Sequence, residues 1–264
     1  MTASRMRRSG LRWTAAILIL AGAVFVLSLA GTKGAFLWGQ RAEDFRDATD
    51  LRALAIALYI YADSDYWPPL SSAPGRLMFD MDTLYPEHIA DPLLLLSPAD
   101  PIRREVKRAD LTPAFCFENS SYFYIGYTVW DDETVEAFAD AYRKRLEEGS
   151  AFDSDLPVDL PIEKLHRLDQ NSRRHGPMSL SEWNKPKWDY MRLVRSEIPC
   201  LIERPNLYPG PFGLYLFAPV PLSKSILGGT VLYQDGHTEF IRYPGKWPMT
   251  EKTISTLTAL VALD

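Results

Sequence analysis

The sequence predicts an α+β fold, in which a long N-terminal helix precedes short β-strands and two further helices. All 20 prolines lie at or after Pro68, so no proline interrupts a helix in the first 67 residues. Apolar residues recur at helical spacing up to Asp63. Beyond Trp67 the pattern changes to short segments rich in aromatic and β-branched residues, separated by turn residues.

The first element is a predicted membrane segment. Twenty uncharged residues, WTAAILILAGAVFVLSLAGT, lie between Arg12 and Lys33. A helix of that length rises ~30 Å, about the thickness of the bilayer hydrocarbon. Four arginines precede the run and only Lys33 follows it closely. The positive-inside rule therefore predicts a cytoplasmic basic leader, 1–12, a transmembrane helix, 13–32, and a body outside the cytoplasm, in the periplasm.

An amphipathic extension of this helix is predicted over 33–64. From Gln40 to Asp63 the apolar residues recur every three or four positions, and the charged residues lie mostly opposite. The apolar positions are Phe45, Ala48, Leu51, Leu54, Ala55, Leu58, Tyr61 and Ala62. Gly34 and Gly39 weaken the helix, since each costs ~1 kcal/mol of propensity. A continuous rod and a short linker between two helices both remain open.

Residues 65–264 are predicted to form the extracytoplasmic α+β domain. Strands are expected within Ser121–Val129, Ile198–Glu203, Leu214–Phe217 and Gly229–Tyr243, and Leu93–Leu96 suits a strand or a buried turn. A helix from Asp132 to Glu148, ended by Gly149, begins a predicted insertion of helix and loops over 131–195. Thr250 is predicted to cap a last helix that carries Ile254, Leu257 and Val261.

The stretch VLYQDGHTEF places an acid beside a histidine but predicts a turn more strongly than an active site. Asp235-Gly236 fits a two-residue type I′ hairpin turn, which needs positive φ at both positions. That turn would pair Gln234 with His237 and Tyr233 with Thr238. Its register puts Val231, Tyr233, Thr238 and Phe240 on one face, with His237 on the wetter one.

The sequence predicts no catalytic, cofactor-binding or metal-binding residues, and no cofactor. His88, His166, His175 and His237 lack metal-ligand spacing. Asp153, Asp155 and Asp159 begin like a calcium loop, but Pro157, Val158 and Lys164 occupy positions that an EF-hand gives to a ligand, glycine and glutamate. Asn119-Ser120-Ser121 matches a glycosylation sequon, which is frequent by chance, and the glycines of GPFG at 210–213 have no phosphate-loop context.

Charge argues against nucleic acid as a partner. The net charge is −5, and beyond residue 33 the chain holds 24 of its 29 basic residues and all 34 acidic ones. Phosphate binding draws mainly on clustered lysine and arginine. The acidic body has no such basic stripe.

The order of several segments resembles the pseudopilin-like proteins related to the major pseudopilin of type II secretion. The segments are the N-terminal hydrophobic helix, DLRALAIALYIYADSDYWPP, LYPEHIADPLLLLSPADP, SSYFYIGY, IPCLIERP and VLYQDGHTEFI. The last is similar to the DGH hairpin that ends many prepilin-type proteins. The resemblance implies a pilin-like fold, in which the long N-terminal helix packs by its second half on a small antiparallel sheet. It also implies membrane association and other pseudopilin or secretion-system subunits as partners.

The N-terminus departs from the family pattern. A prepilin leader could end at Gly10, but the fifth residue after it is Ala15, where the family has a glutamate, and no carboxylate precedes Glu43. Ser97 stands where many relatives have a cysteine. An intact Met1 end is therefore the predicted outcome, against processing at Leu11 or release at Gly31, which the small-x-small triplet Ser28-Leu29-Ala30 would permit. Entry into a filament and calcium binding remain open.

Two classes of function follow. The first is a membrane-anchored pseudopilin-like structural protein, which is not an enzyme. The second is a membrane-anchored extracytoplasmic enzyme or ligand-binding module, with its site in the 131–195 insertion near His175, Trp183, Trp188 and Tyr190. The extracytoplasmic location also permits a disulfide between Cys116 and Cys200, although both suit buried positions as free thiols.

Overall fold

The computed structural model describes residues 46–63, 66–98, 100, 102–103, 106–169, 195–205 and 228–262. These residues form an α+β fold around a four-stranded antiparallel sheet, which confirms the predicted class. In the described chain no helix is long and apolar enough to cross a membrane, and the predicted span, 13–32, lies outside that part.

The described helices are α1 (46–61), α2 (Met81–Leu84), α3 (Pro113–Glu118), α4 (Asp132–Glu147) and α5 (Glu251–Val261). Three 3-10 turns, Pro92–Leu95, Arg108–Asp110 and Arg195–Glu197, lie between them. The main sheet has the order β1-β4-β5-β6, from β1 (Tyr122–Tyr124), β4 (Pro199–Glu203), β5 (Gly228–Tyr233) and β6 (Thr238–Arg242). A second, two-stranded sheet pairs β2 (Leu156–Pro157) with β3 (Lys164–Leu165).

Helix α1 confirms the predicted amphipathic pattern over its described part. Leu51, Leu54 and Leu58 are fully buried and Ala55 and Ala62 nearly so, in one apolar cluster with residues of β1, β4 and β5. The spacing of three and four places these side chains on one face. Gln40 to Phe45, the start of the predicted helix, lie outside the described residues.

Helix α4 begins where the sequence predicts and ends at Glu147, one residue before the predicted end. The Asp131 carboxylate accepts a hydrogen bond from the Thr134 N–H at 2.8 Å, and the Thr134 hydroxyl accepts one from the Asp131 N–H at 3.1 Å. This reciprocal capping box satisfies two N–H groups at the helix start. Gly149, at φ 64°, turns the chain after the last turn.

Helix α4 and the β2–β3 loop add to the main core although they lie in the predicted insertion. Val135, Phe138 and Tyr142 of α4 are fully buried in the central cluster. Helix α4 also packs on α5, whose N-cap Thr250 accepts a hydrogen bond from Thr253 N–H at 3.0 Å as predicted.

The segment Leu93–Leu96 forms mostly a 3-10 turn, the second of its two predicted structures. The predicted strand Leu214–Phe217 lies outside the described residues.

The β5–β6 hairpin forms where predicted, but its predicted register and turn type are wrong. Leu232 pairs with Thr238 and Thr230 with Phe240. The backbone of Tyr233 donates to His237, so three residues close the turn instead of two. Gly236 has φ 86°, whereas Asp235 is not among the non-glycine residues with positive φ in the described chain, so the turn is not type I′.

This one-residue difference reverses the predicted faces of β6. Side chains alternate along a strand, so a shift of one residue moves each to the other side. Ile241 is buried at 3% exposure, and Phe240, predicted to share the inner face, is 38% exposed.

Candidate functional site

The Asp-Gly-His stretch is a structural turn that docks against α1. The Asp235 carboxylate accepts from the His237 N–H at 3.0 Å and lies 2.6 Å from His237 Nδ1, while the His237 ring stacks on Tyr233 at 4.4 Å. The Tyr59 hydroxyl of α1 donates to the Gln234 carbonyl, and burial is the main cause that raises the Tyr59 pKa to about 12. These contacts account for Asp235, Gly236 and His237 as parts of the turn.

The other histidines and acidic residues that were weighed as site candidates make local structural contacts. His88 packs edge-on against Tyr61 at 5.7 Å, and His166 Nδ1 lies 3.1 Å from an Asp155 carboxylate oxygen. Burial raises the pKa of Asp155, but hydrogen bonds from His166 and from the Arg167 N–H outweigh burial and lower it. Within the described residues no group of three or more His, Cys, Asp or Glu side chains could hold a metal ion.

Two arginines hold the loop that begins like a calcium site. Arg145 donates to the Ala151 carbonyl at 2.9 Å, to the Ser154 hydroxyl at 3.0 Å and to the Asp155 carbonyl at 3.2 Å. Arg167 donates to the Asp153 carbonyl at 2.8 Å. The guanidinium groups thus bind backbone carbonyls and a hydroxyl, and the Asp155 carboxylate accepts a hydrogen bond from the Arg167 N–H at 3.0 Å, so this loop is held by contacts within the protein.

The two cysteines are free thiols, and the disulfide between them is absent from the structure. Both are fully buried, Cys116 in α3 and Cys200 in β4. Burial is the main cause that raises both thiol pKa values; the charged neighbours are Asp91 and Arg103 for Cys116 and Asp235 for Cys200. Cys200 belongs to the central apolar cluster, whereas Cys116 is not part of it.

The sequon follows α3, with Asn119 half-buried and Ser120 and Ser121 buried, and the remaining candidates are outside the described chain. The Asn119 amide donates to the Phe115 carbonyl at 3.0 Å, and the buried Ser121 hydroxyl donates to Asp100 at 2.5 Å. The insertion candidates His175, Trp183, Trp188 and Tyr190 and the GPFG segment are not among the described residues.

The outward face of α1 is the candidate interaction site. Its exposed residues, at spacings of three and four, are Arg46, Thr49, Arg52, Ile56, Ile60 and Asp63. Ile56 is 59% exposed and Ile60 is 57% exposed, one helical turn apart. Apolar side chains of this size gain ~1.5–3 kcal/mol each on full burial. The outer face of α1 is therefore mostly polar and carries one exposed apolar pair, while its inner face is buried in the core.

Buried polar contacts fix α1 against the domain near the described start of the helix. The Tyr122 hydroxyl of β1 donates to Asp47 at 2.8 Å, and both residues are almost fully buried. Burial and the nearby carboxylates, Asp47 first, hold the Tyr122 pKa well above its usual value, so the phenol stays protonated. Arg103 donates to Asp50 at 2.9 Å and to the Leu96 carbonyl at 2.7 Å, which ties the next turn of α1 to the loop after the first 3-10 turn.

A second buried carboxylate joins that loop to the sheet. Glu203, 1% exposed, accepts from the Ser97 hydroxyl at 2.7 Å and from the Thr230 N–H at 2.7 Å. The Ser121 hydroxyl accepts from the Ser97 N–H at 2.8 Å. This network was not predicted from the sequence, in which its only signal is a glutamate at the end of the apolar run IPCLIE.

Comparisons with known proteins identified no similar protein. No family model, curated protein or solved structure matches this chain.

Proposed function

We propose that this chain is a membrane-anchored, pseudopilin-like structural protein that associates with a type II secretion or pilus-like assembly. The observation that carries the proposal is the exposed apolar pair on the otherwise polar outer face of α1. The inner side of the helix packs into the core, and Ile56 and Ile60 stay exposed on the outer side. The uncharged run 13–32, which supports the anchor, precedes this helix in the sequence.

The anchor and the exposed isoleucines support a role in lateral contact. Copies anchored in one membrane are held at a high local concentration, which favours contact between the exposed faces of their domains. An exposed isoleucine pair on one helix then meets the same pair on a neighbour and removes apolar surface from water. The polar contacts of Asp47 and Asp50 keep α1 fixed on its own domain while its outer side contacts another subunit.

Cross-linking in membranes tests this function. Full-length chains with Ile56→Cys or Ile60→Cys are treated with a short bis-maleimide, and a dimer band is expected for both. The matched control is Ser255→Cys, an exposed position on α5. The native thiols are fully buried, and the unsubstituted chain measures their background. Dimer yields at positions 56 and 60 no higher than at 255 would contradict the proposal.

A further inference from the structure

An open cavity of about 750 Å³ lies between the end of α1, α2 and α3. Its described lining includes Tyr61 at the end of α1 and residues 80–83 at the N-cap and start of α2. Helix α3 contributes Ala114, Phe117 and Glu118, whose spacing of three and four places them on one helix face. A volume of this size is typical of sites that bind small organic molecules.

The apolar part of this cavity is held in place by the core. Phe117, only 3% exposed, packs edge-on against Phe79, with 5.9 Å between the ring centroids. Phe79 packs in the same way on Tyr124 of β1, at 5.1 Å. The half-buried Tyr61 and Met81 extend the apolar lining beside Phe117. Because buried rings support Phe117, this surface is preorganised for an apolar group.

The charged part of the lining has three carboxylates and one cation. The Glu118 carboxylate lies 3.2 Å from the guanidinium of Arg76, whereas the side chains of Asp80 and Asp82 are exposed and make no hydrogen bond or ion pair in the described part of the chain. Asp80 occupies the N-cap position of α2, where aspartate usually accepts from a backbone N–H, but it makes no capping hydrogen bond. Carboxylates gathered in one cavity repel each other, so a bound cation stabilises them.

An organic ammonium group suits this lining better than a metal ion does. Among the described side chains, no group of three or more possible ligands is arranged to hold a metal. A protonated amine needs fewer acceptors, because one or two carboxylates suffice for charge-assisted hydrogen bonds. Its apolar body can cover Phe117 and Met81, and the ring faces of Tyr61 and Phe117 attract a nearby positive charge.

We propose that this cavity binds a small organic cation of the arylalkylamine class, in which a short alkyl chain joins a primary amine to an aromatic ring. The ammonium group binds Asp80 and Asp82, and the aromatic ring packs on Phe117 and Met81. The site is separate from the helix contact of the proposed function, since none of the outward residues of α1 lines the cavity. Binding and association can therefore be tested independently.

Fluorine NMR with 4-fluorophenethylamine tests the inference on the full-length chain in a non-ionic detergent, with protein-free detergent as the baseline. Saturable broadening with a Kd of about 1 mM or tighter is expected for an amine of this size. The anion 4-fluorophenylacetate, which carries the same ring, should bind about tenfold more weakly or not at all. Combining Asp80→Asn with Asp82→Asn should weaken amine binding about three- to tenfold at low salt, and less at high salt. Ala114→Trp, at an exposed position of the lining, should occupy the cavity and abolish binding.

A matched control removes the same two negative charges elsewhere. Asp140→Asn combined with Glu251→Gln changes exposed residues of α4 and α5 that do not line the cavity, and it should leave the affinity unchanged. Thermal unfolding checks that every variant is folded. The inference is overturned if the amine does not bind saturably, if the acetate binds equally well, or if either cavity variant binds like the unsubstituted chain. Binding of an amidated Phe-Lys dipeptide without binding of the free amine would indicate a protein partner and would also overturn it.

Discussion

Substitutions of Gly236 should separate the backbone requirement of the β5–β6 turn from its contacts. Gly236 has φ 86°, a region that costs a side-chain-bearing residue ~1–2 kcal/mol. A Cβ built there would lie 3.4 Å from Tyr59 Cε2, an ordinary contact, so strain and not a clash dominates. Alanine also lowers unfolded-state entropy, which returns about 0.4–1 kcal/mol. We expect Gly236→Ala to lower the free energy of unfolding by about 1 kcal/mol and Gly236→Val by more, because a β-branched residue tolerates positive φ least.

The assay is urea and thermal unfolding of the fragment 44–264, which forms one compact unit. A loss of 1 kcal/mol corresponds to a midpoint about 2–4 °C lower for a domain of this size. Gly236→Asn is the matched control, since asparagine occupies the left-handed region more readily than alanine. The expected order of stability is glycine, asparagine, alanine, valine. Equal losses for asparagine and alanine would refute the argument from φ.

Three further outcomes are expected. His237→Ala should change the free energy of unfolding by less than ~1 kcal/mol, since its contact with the Asp235 carboxylate is exposed; loss of an activity at unchanged stability would contradict the turn interpretation. Tyr122→Phe should lower the free energy of unfolding by about 1.5–3 kcal/mol, because it removes a hydrogen bond to the buried Asp47 carboxylate. A double-mutant cycle with Asp47→Asn should show coupling between the two residues. Additive losses of stability would count against this hydrogen bond. Reporter fusions after residue 33 should be active only outside the cytoplasm. Mass spectrometry of the N-terminal peptide should find an intact Met1, and a methylated Leu11 start would instead favour prepilin-type processing.

Elements whose signal is local could be predicted from the sequence. The apolar spacing of α1, the glycine that follows α4 and the Thr250 cap of α5 each act within a few residues, so neighbouring residues in the sequence carry the information. The hairpin position was predictable for the same reason. Its register was not, because Asp-Gly permits a two-residue turn or a three-residue turn with glycine in the left-handed region. Phe240 and Ile241 are both apolar, so the pattern of β6 fits either register.

Contacts from distant segments decide that register and the polar core. The Gln234 amide donates to the Asp169 carbonyl at 3.0 Å, and Tyr59 of α1 binds the Gln234 carbonyl. Ser97 and Glu203 are separated by 106 residues yet share a buried hydrogen bond. Glutamate side chains are usually exposed, so the sequence predicts an exposed Glu203. The residues next to Glu203 in the sequence do not identify the distant partners that bind it in the core. Ile56 and Ile60 can be read in the sequence, but their exposure follows only from the packing of the opposite face of α1 on the sheet.

The polar anchors at the described start of α1 also determine how the domain responds to force. A pull on the chain before residue 46 reaches the domain through the helix and meets the Asp47–Tyr122 and Asp50–Arg103 contacts within one turn of each other. The buried leucines of α1 slide against the sheet only if these contacts break nearly together, since the helix is stiff along its axis. Tension of this kind acts as shear on many contacts at once, whereas unzipping would break them one at a time. A domain held in this way resists separation of α1 along the helix axis.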